Sequence, residues 1–290
     1  MKNKKSKIIF ALIFLAGLSL LLYPYISQKW NAYRASKLIT SYEKVVREKA
    51  ETNDYSAEWE RARAYNAELF KKNDPDAFKN AEKAGIPDEE YMSCLSLTGN
   101  GMMGYVEIPK IDVKLSLYHT VDESILQKSV WHLEGSSLPV GGENTHAVIS
   151  AHRGLPDAEL FTALDQMKQG DHFLLYILDE ILCYQVDQLL VVEPTEIEDL
   201  LLVEGQDYVT LFTCTPYGVN SHRLLVRGHR VEYVEEVVEA EEPTVIEKAV
   251  EGDRKTPVVA GLAVTAIAIA SMAVATRGKK KQAVEDEKKN

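Results

Sequence analysis

Cys214 stands where a reactive thiol would be useful, between a strand-like run and a turn. The run covers residues 208–213 and the turn-rich segment covers residues 215–220. A thiol at the end of a strand, beside a loop, is accessible and is held by a rigid scaffold, as a nucleophile requires. Taken alone, the same residue fits a small buried hydrophobe, which is the usual role of a free cysteine.

Arg223 follows that turn and begins the next strand-like segment. If the two segments pair as a hairpin, Arg223 lies opposite or near Cys214, where a guanidinium favours the thiolate and can stabilise a developing oxyanion. Arg227 falls on the same face but about 13 Å further along a strand. The alternative for Arg223 is an ordinary charged residue of a strand.

Acyl transfer by a cysteine also needs a proton carrier, and histidine suits that role near neutral pH. Among the seven histidines, His152 follows the short apolar run 146–150 and precedes a loop that contains Gly154 and Pro156. It therefore also ends a strand. His222 is adjacent to Arg223 and should point to the opposite face. This pattern favours His152 as the proton carrier.

Short strands are the elements that would position these side chains. Alternating or continuous apolar patterns occur at residues 105–108, 113–119, 146–150, 173–192, 208–214 and 223–234. The segment 173–192 is long enough for two or three strands, and a helical turn near residues 160–167 is the main exception. Short strands with few helices between them predict a closed or sandwiched sheet.

The residues before the strands predict a helical appendage. Residues 30–72 carry apolar side chains at helical spacing and contain no Pro or Gly, which predicts one helix. The sequence Asn-Asp-Pro-Asp at residues 73–76 would end it, and a second weak helix follows.

Both ends of the chain are apolar enough for membrane segments. Residues 8–22 follow four lysines and fit either a cleavable signal peptide or an anchor; the missing small-residue cleavage site favours the anchor. Residues 258–275 carry no charge and are followed at once by basic residues, although a buried Ala-rich helix is the alternative. The basic outer flanks predict both termini inside and the middle outside.

Composition narrows the classes of partner. The chain carries 33 Lys and Arg against 44 Asp and Glu, a net charge of −11. Nucleic acid is therefore excluded as an expected partner, since phosphate binding needs a basic face. Three cysteines are too few for a disulfide framework, and Cys94 and Cys183 are expected to be structural.

These motifs resemble those of class C sortases, the pilus-assembling members of the sortase family. The run Thr-Leu-Phe-Thr-Cys ending at Cys214, with Arg223 nine residues later, is similar to the family's Thr-Leu-x-Thr-Cys…Arg signature. The run Ser-Ala-His-Arg-Gly around His152 is similar to its histidine box. Residues 214–228 and 104–111 are similar to class C in particular.

The resemblance implies an eight-stranded β-barrel with short helices and no metal or organic cofactor. It implies Cys214 as nucleophile, His152 as general acid and base, and Arg223 as support for the oxyanion or the substrate. Members cleave a Leu-Pro-x-Thr-Gly-like sorting signal after Thr. The acyl group then passes to a lysine amine of another pilin subunit. The expected partners are therefore pilin subunits with a C-terminal sorting signal, an acceptor pilin lysine and the lipid bilayer.

Class C members often carry a lid whose Asp-Pro-aromatic motif covers the active site. Asp74 and Pro75 match its first two residues, but Asp76 stands where the aromatic residue should be, and Phe78 comes two residues later. The hypothesis is that Asp74 pairs with Arg223 and that Phe78 replaces the missing ring. The alternative is a plain helix-breaking turn.

The resulting interpretation is a mainly β, membrane-anchored transpeptidase on the outer face of the cell membrane. The alternatives are a sortase that attaches proteins to peptidoglycan, a Cys/His hydrolase, and a tethered adhesion or scaffold protein. The expected segments are a basic tail and anchor (1–29), a helical appendage with the lid (30–103), the catalytic barrel (104–234), an acidic linker (235–256), a second transmembrane helix (257–276) and a basic cytoplasmic tail (277–290).

Overall fold

Eight strands close into a barrel in this protein. A computed structural model describes residues 2–50, 55–72, 74, 78, 88–119, 123–235 and 238. The strands are β1 (Met102–Ile108), β2 (Val113–Tyr118), β3 (Val130–His132), β4 (Thr145–Ser150), β5 (His172–Ile177), β6 (Glu180–Val192), β7 (Asp207–Thr215) and β8 (His222–Val231). The described helices are α1 (Lys2–Ala50), α2 (Ser56–Lys72), α3 (Glu89–Ser93) and α4 (Glu123–Leu126), with 3₁₀ turns at Pro109–Ile111, Leu164–Gln166 and Glu198–Leu200.

The strands follow the order β1-β2-β3-β4-β7-β8-β6-β5, and β5 pairs back with β1. Two neighbouring pairs, β2 with β3 and β4 with β7, are parallel, and the others are antiparallel. The prediction of a mainly β chain with a closed eight-stranded barrel is confirmed. Closure follows from the long strand β6, which pairs with β5 at one end and with β8 along most of its length.

Period-2 alternation sorts the side chains of β7 and β8 between the two faces of the wall. Val209 and Leu211 of β7 and Val226 of β8 are buried in the main core inside the barrel. Phe212 and Leu225, which are adjacent in sequence to Leu211 and Val226, belong to a separate apolar cluster. The barrel wall therefore carries a second packed face on its outside.

The segment 173–192 forms two strands, β5 and β6, joined by a tight turn at Leu178 and Asp179. Strand β3 was not predicted, because three residues are too few for an alternating pattern to stand out. The helical turn expected near residues 160–167 is a 3₁₀ turn at Leu164–Gln166.

The prediction of one helix over residues 30–72 is wrong, because the structure has two. Helix α1 ends at Ala50, and α2 begins at Ser56 with a first turn in which the carbonyl of Tyr55 accepts hydrogen bonds from the amides of Glu58 and Trp59. Asn and Asp residues precede this turn in the sequence, and such residues compete with the helix backbone for hydrogen bonds.

Both long helices pack on the barrel instead of standing apart from it. Tyr42 of α1 is buried, and its hydroxyl donates to the carbonyl of Met103 at 2.9 Å and accepts from the amide of Leu178 at 2.9 Å. On α2, Trp59 Nε1 donates to Asp179 Oδ1 at 3.0 Å, and Asn66 exchanges two hydrogen bonds with Leu138. The predicted appendage therefore shares a core with the barrel.

Helix α1 begins near the N-terminus with an apolar half. From Phe10 onward it has the length and composition to cross a membrane, with a mean hydropathy of 1.9 in its most apolar window. The barrel belongs to one compact unit, and residues 1–22 belong to a second. The predicted second span (257–276) and basic tail (277–290) lie outside the described residues, as does the predicted linker (235–256) apart from residues 235 and 238.

Candidate active site

Cys214 is the penultimate residue of β7. It is half-buried, whereas the other two cysteines, Cys94 and Cys183, are buried, and all three are free thiols. By alternation the side chain of Cys214 lies on the same face as Phe212, outside the barrel, and not with Leu211 in the interior. The thiol is therefore outside the barrel wall, where a substrate can reach it.

Arg223 is the direct cross-strand partner of Cys214 in the antiparallel pair β7–β8. Directly opposite residues point to the same face with Cβ atoms about 5 Å apart. The Arg223 guanidinium donates from Nη1 to the carbonyls of Asn220 at 3.2 Å and His222 at 3.0 Å. These bonds hold it against the turn that separates the two strands.

His152 reaches the same level through the parallel pair β4–β7. The last residue of β4, Ser150, pairs with Phe212, and the amide of Ala151 then donates to the Phe212 carbonyl at 3.2 Å. Continuing the register by two residues sets His152 beside Cys214, with strands about 4.8 Å apart. The half-buried His152 ring packs against the indole of Trp131, with ring centroids 5.1 Å apart.

The register thus pairs Cys214 with Arg223 directly and, continued two residues past the end of β4, sets His152 level with Cys214. An imidazole and a guanidinium on either side of a thiol are the groups that cysteine acyl transfer needs, because the reaction moves one proton and develops one oxyanion. Trp131 was missed by the sequence reasoning, since it belongs to the unpredicted strand β3.

Comparison with known proteins agrees with this geometry. Residues 106–231 match the model of the Sortase domain. Sortase C1 of Streptococcus agalactiae is 44% identical, and the match covers 68% of this chain and 100% of that chain with a TM-score of 0.58. The chain belongs to the class C sortases.

Two further relatives place this sortase within its family. Sortase C of Streptococcus pneumoniae, a structure described for its insights into catalysis and pilin substrate specificity, is 45% identical, with 68% of this chain and 97% of that chain covered and a TM-score of 0.55. Sortase D of Bacillus subtilis is 28% identical over 131 residues, which are 44% of this chain and 63% of that relative.

The outer face beside Cys214 in this class C sortase is apolar. Val148 of β4, Phe212 of β7 and Leu225 of β8 form its centre. The cluster is completed by partly buried side chains from β6 and from neighbouring segments, namely Leu133, Leu190, Val192 and Phe78, and by the buried Leu200. An extended peptide chain lying along these strands would meet an apolar floor that leads to the thiol.

The same face becomes polar further from Cys214. Arg227 forms a two-point ion pair with Asp187 (3.0 and 3.2 Å) and stacks on the Tyr208 ring. His146 Nδ1 donates to the carbonyl of Leu201 at 2.9 Å, so its Nε2 accepts from Thr210 Oγ1 at 2.8 Å. Burial lowers the pKa of His146 to about 4, and the ring is neutral at physiological pH.

Two of the three predicted lid residues are described. Asp74 is exposed, and Phe78 is partly buried against the apolar cluster that contains Phe212 and Leu225. Pro75 lies outside the described residues. A phenyl ring of the predicted lid segment therefore packs on the same apolar cluster as Phe212, which lies two residues before Cys214 on β7.

Two apolar side chains are exposed in the turn that connects β7 to β8. Tyr217 is 60% exposed and Val219 is 69% exposed, both in the turn between Cys214 and Arg223.

In the described part of the chain, no group of three or more His, Cys, Asp or Glu side chains could hold a metal ion.

Proposed function

We propose that this chain is a membrane-anchored cysteine transpeptidase that polymerises pilin subunits. The observation that supports it most is the cross-strand pairing of Cys214 with Arg223, and the β4–β7 register, continued past Ser150, is consistent with His152 at the same level. The family supplies the reaction class, since sortases are cysteine transpeptidases, and the class C relatives supply the substrate class. In this proposal the α1 segment from Phe10 is one membrane anchor and the predicted span 257–276 is the other, which puts the barrel outside and both termini in the cytoplasm.

The first half-reaction transfers an acyl group to the enzyme. The Cys214 thiolate attacks the carbonyl carbon of the Thr–Gly bond in a Leu-Pro-x-Thr-Gly-like signal, and the carbonyl electrons move to an oxyanion that Arg223 stabilises. As the oxyanion collapses, the carbon–nitrogen bond breaks and the His152 imidazolium gives its proton to the leaving glycine amine. The acyl group then remains on Cys214 as a thioester.

The second half-reaction regenerates the enzyme. A neutral lysine amine of another pilin subunit attacks the thioester, and His152 accepts the proton that the new amide nitrogen loses. The carbon–sulfur bond breaks, an isopeptide bond forms, and the thiolate and imidazolium are restored. No step consumes an oxidant or needs a metal.

A lid would regulate access in this scheme. The partial burial of Phe78 on the apolar floor beside Cys214 supports a segment that covers the site in the resting enzyme. In this proposal Asp74 pairs with Arg223 and occupies it until substrate displaces the segment. Removing residues 71–79 should then raise the rate of peptide cleavage, and an unchanged rate would argue for a simple turn.

Mass spectrometry of the full-length protein in detergent tests the reaction class. Incubation with a Leu-Pro-x-Thr-Gly peptide should add the mass of the peptide acyl group to the unmodified chain and to Cys94→Ala, but not to Cys214→Ala. Adding a peptide with a pilin-type lysine should convert the adduct into an isopeptide-linked product. Hydrolysis that is unaffected by any amine would indicate a hydrolase, and transfer only to a peptidoglycan amine would indicate cell-wall attachment.

A further inference from the structure

Arg153, the residue after His152, connects the two strand ends that carry the site. Its side chain is only 5% exposed, and its Nη1 donates to Thr215 Oγ1 at 3.0 Å. Thr215 is the residue after Cys214. The Nη2 of the same guanidinium is paired with the carboxylate of Asp165 in the 3₁₀ turn Leu164–Gln166. One side chain therefore joins the neighbour of His152 to the neighbour of Cys214.

Thr215 lies on the opposite face of the wall from Cys214. The two residues are adjacent in β7, so alternation directs the Thr215 side chain away from the outer face, and Arg153 reaches its hydroxyl there. The same inner side carries a second tie, in which Thr213 Oγ1 donates to the carbonyl of Ala151 at 2.8 Å. Two side-chain hydrogen bonds thus join the strand ends without using the Cys214 thiol or the His152 imidazole.

The loop after His152 also packs closely against the turn after Cys214. Gly154 has φ of +79°, and a Cβ atom there would lie 3.2 Å from Cε2 of Tyr217. A side chain at this position would press on the Tyr217 ring, in the turn that follows Cys214. The far part of the His152 loop is also attached, because the amide of Phe161 donates to the carbonyl of His152 at 3.3 Å and Asn31 Nδ2 of α1 donates to the carbonyl of Asp157 at 2.8 Å.

The energetics of Arg153 suit a positioning role better than a stabilising one. Its Nε is one of three buried side-chain polar atoms without a hydrogen-bond partner among the described residues. A buried guanidinium with an unmet donor carries a desolvation cost, so a buried ion pair of this kind is weak evidence for added stability. Its planar, forked geometry instead fixes the direction of two partners at once.

We propose that Arg153 is a positioning residue for acyl transfer, which holds the His152 strand end at the Cys214 strand end through Thr215. The proposal rests on the function proposed above. The bridge keeps the imidazole within proton-transfer distance of the thiol while the substrate enters and the leaving amine departs. Arg153 acts only through its neighbours and touches neither substrate nor the reacting atoms.

The test uses a pair of variants at Thr215 in the full-length protein in detergent. Thr215→Val keeps the shape of the side chain and removes the acceptor for Arg153, whereas Thr215→Ser keeps the hydroxyl. We expect Thr215→Val to lower kcat for cleavage of a sorting peptide by roughly 10- to 100-fold with KM changed less than twofold, because misplacement by about 1 Å can cost a factor of 100. Thr215→Ser should stay within about threefold of the unmodified chain.

A second readout needs no peptide. The rate of Cys214 alkylation by iodoacetamide, measured against pH, reports on the thiolate and on the neighbouring imidazole. The profile of Thr215→Val should move toward that of His152→Ala, and Arg153→Lys should move in the same direction. Arg227→Lys, which disturbs another arginine–aspartate pair of the barrel, should leave the profile unchanged.

The outcomes separate this proposal from the proposed function. If the unmodified chain forms no thioester but its alkylation profile depends on His152 and on Thr215, the positioning role holds and the transpeptidase function is wrong. If Thr215→Val keeps the kcat and the alkylation profile of the unmodified chain, the positioning role is overturned. A loss of kcat in Thr215→Val that Thr215→Ser shares equally would also overturn it, because the hydroxyl would then not be the element that matters.

Discussion

Cys214 on β7 and Arg223 on β8 occupy directly opposite positions of one antiparallel ladder, on the outer face of the barrel. Because the register holds the guanidinium opposite the thiol, Arg223→Lys should lower kcat for peptide cleavage by about 100-fold or more, as loss of an oxyanion donor does elsewhere. Lysine keeps the charge but cannot reproduce the planar donor geometry. Steady-state kinetics with a sorting peptide measure the effect.

Arg227 provides the matched control on the same strand and face. It is engaged with Asp187 and lies four residues from Arg223. Arg227→Lys should leave kcat within a few fold and act mainly on stability. Equal losses of kcat in the two variants would mean that the positive charge of the face, and not the position of Arg223, supports the reaction.

Removing the Phe78 ring should expose the thiol. The ring contributes to the apolar cluster beside Cys214. If the lid closes the site in most molecules, Phe78→Ala should raise the alkylation rate of Cys214 by roughly twofold to tenfold, in proportion to the gain in open molecules. Phe70→Ala, a change in the last turn of α2 at a residue outside this cluster, should leave the rate unchanged. A rate that is the same in all three proteins argues against a lid.

Buried histidines make the stability of the fold depend on pH. Burial, partly opposed by a hydrogen bond to the Leu201 carbonyl, lowers the pKa of His146 from 6.5 to about 4, and burial lowers that of His132 to about 3. Below pH 6.5 the unfolded chain therefore binds protons that the folded chain does not. Each histidine should reduce the free energy of unfolding by up to about 1.4 kcal/mol for each pH unit below 6.5, and this loss stops below the folded pKa.

Urea unfolding at pH 7.5 and pH 5.5 measures this dependence. The comparison of interest is the difference between the two pH values in the unmodified chain and in His146→Asn, because other titrating groups contribute equally to both. The variant should lose less stability on acidification than the unmodified chain. If both lose the same amount, His146 is not held neutral in the folded state.

Gly104 is required by the close approach of β1 to β5. A Cβ atom at Gly104 would lie 2.2 Å from the carbonyl oxygen of Tyr176, whereas one at Gly228 would lie 2.7 Å from a ring carbon of Phe173. A backbone atom in a paired strand cannot move aside as a side chain can. We expect Gly104→Ala to destabilise the fold by about 2–4 kcal/mol and Gly228→Ala by about 1–2 kcal/mol. Thermal unfolding of the two variants under one condition compares them, and the reverse order would contradict the argument.

The local parts of the fold were predictable from the sequence. The hairpin that joins Cys214 to Arg223 followed from a turn-rich segment between two apolar runs, and the register pairs these residues. The strand end before His152 followed in the same way. In each case one short stretch of chain carries both the pattern and the turn that sets it.

The contacts between distant segments were not predictable in the same way. The parallel pairing that brings His152 level with Cys214 joins segments about 60 residues apart, with no turn to specify it. Strand β3 and its Trp131 were missed because three residues carry no period. The hydrogen bonds from α2 to Asp179 and Leu138 depend on single polar residues in a helix whose spacing indicates only which face is apolar.

Ring closure of the eight strands also limits how the substrate peptide of the proposed function could bind. Each described strand has a neighbour on both sides. Beyond its short pairing with β3, β4 also accepts hydrogen bonds at the carbonyls of Val148 and His146 from the amides of Leu133 and Ser137. Among the described strands, an extended peptide therefore finds no strand with a whole edge unpaired on which to add itself as a ninth strand, the mode of recognition that depends little on side chains. Selectivity must then come from the shape and chemistry of side chains projecting from the wall, so exchanging those side chains should change which signal is accepted without disturbing the barrel.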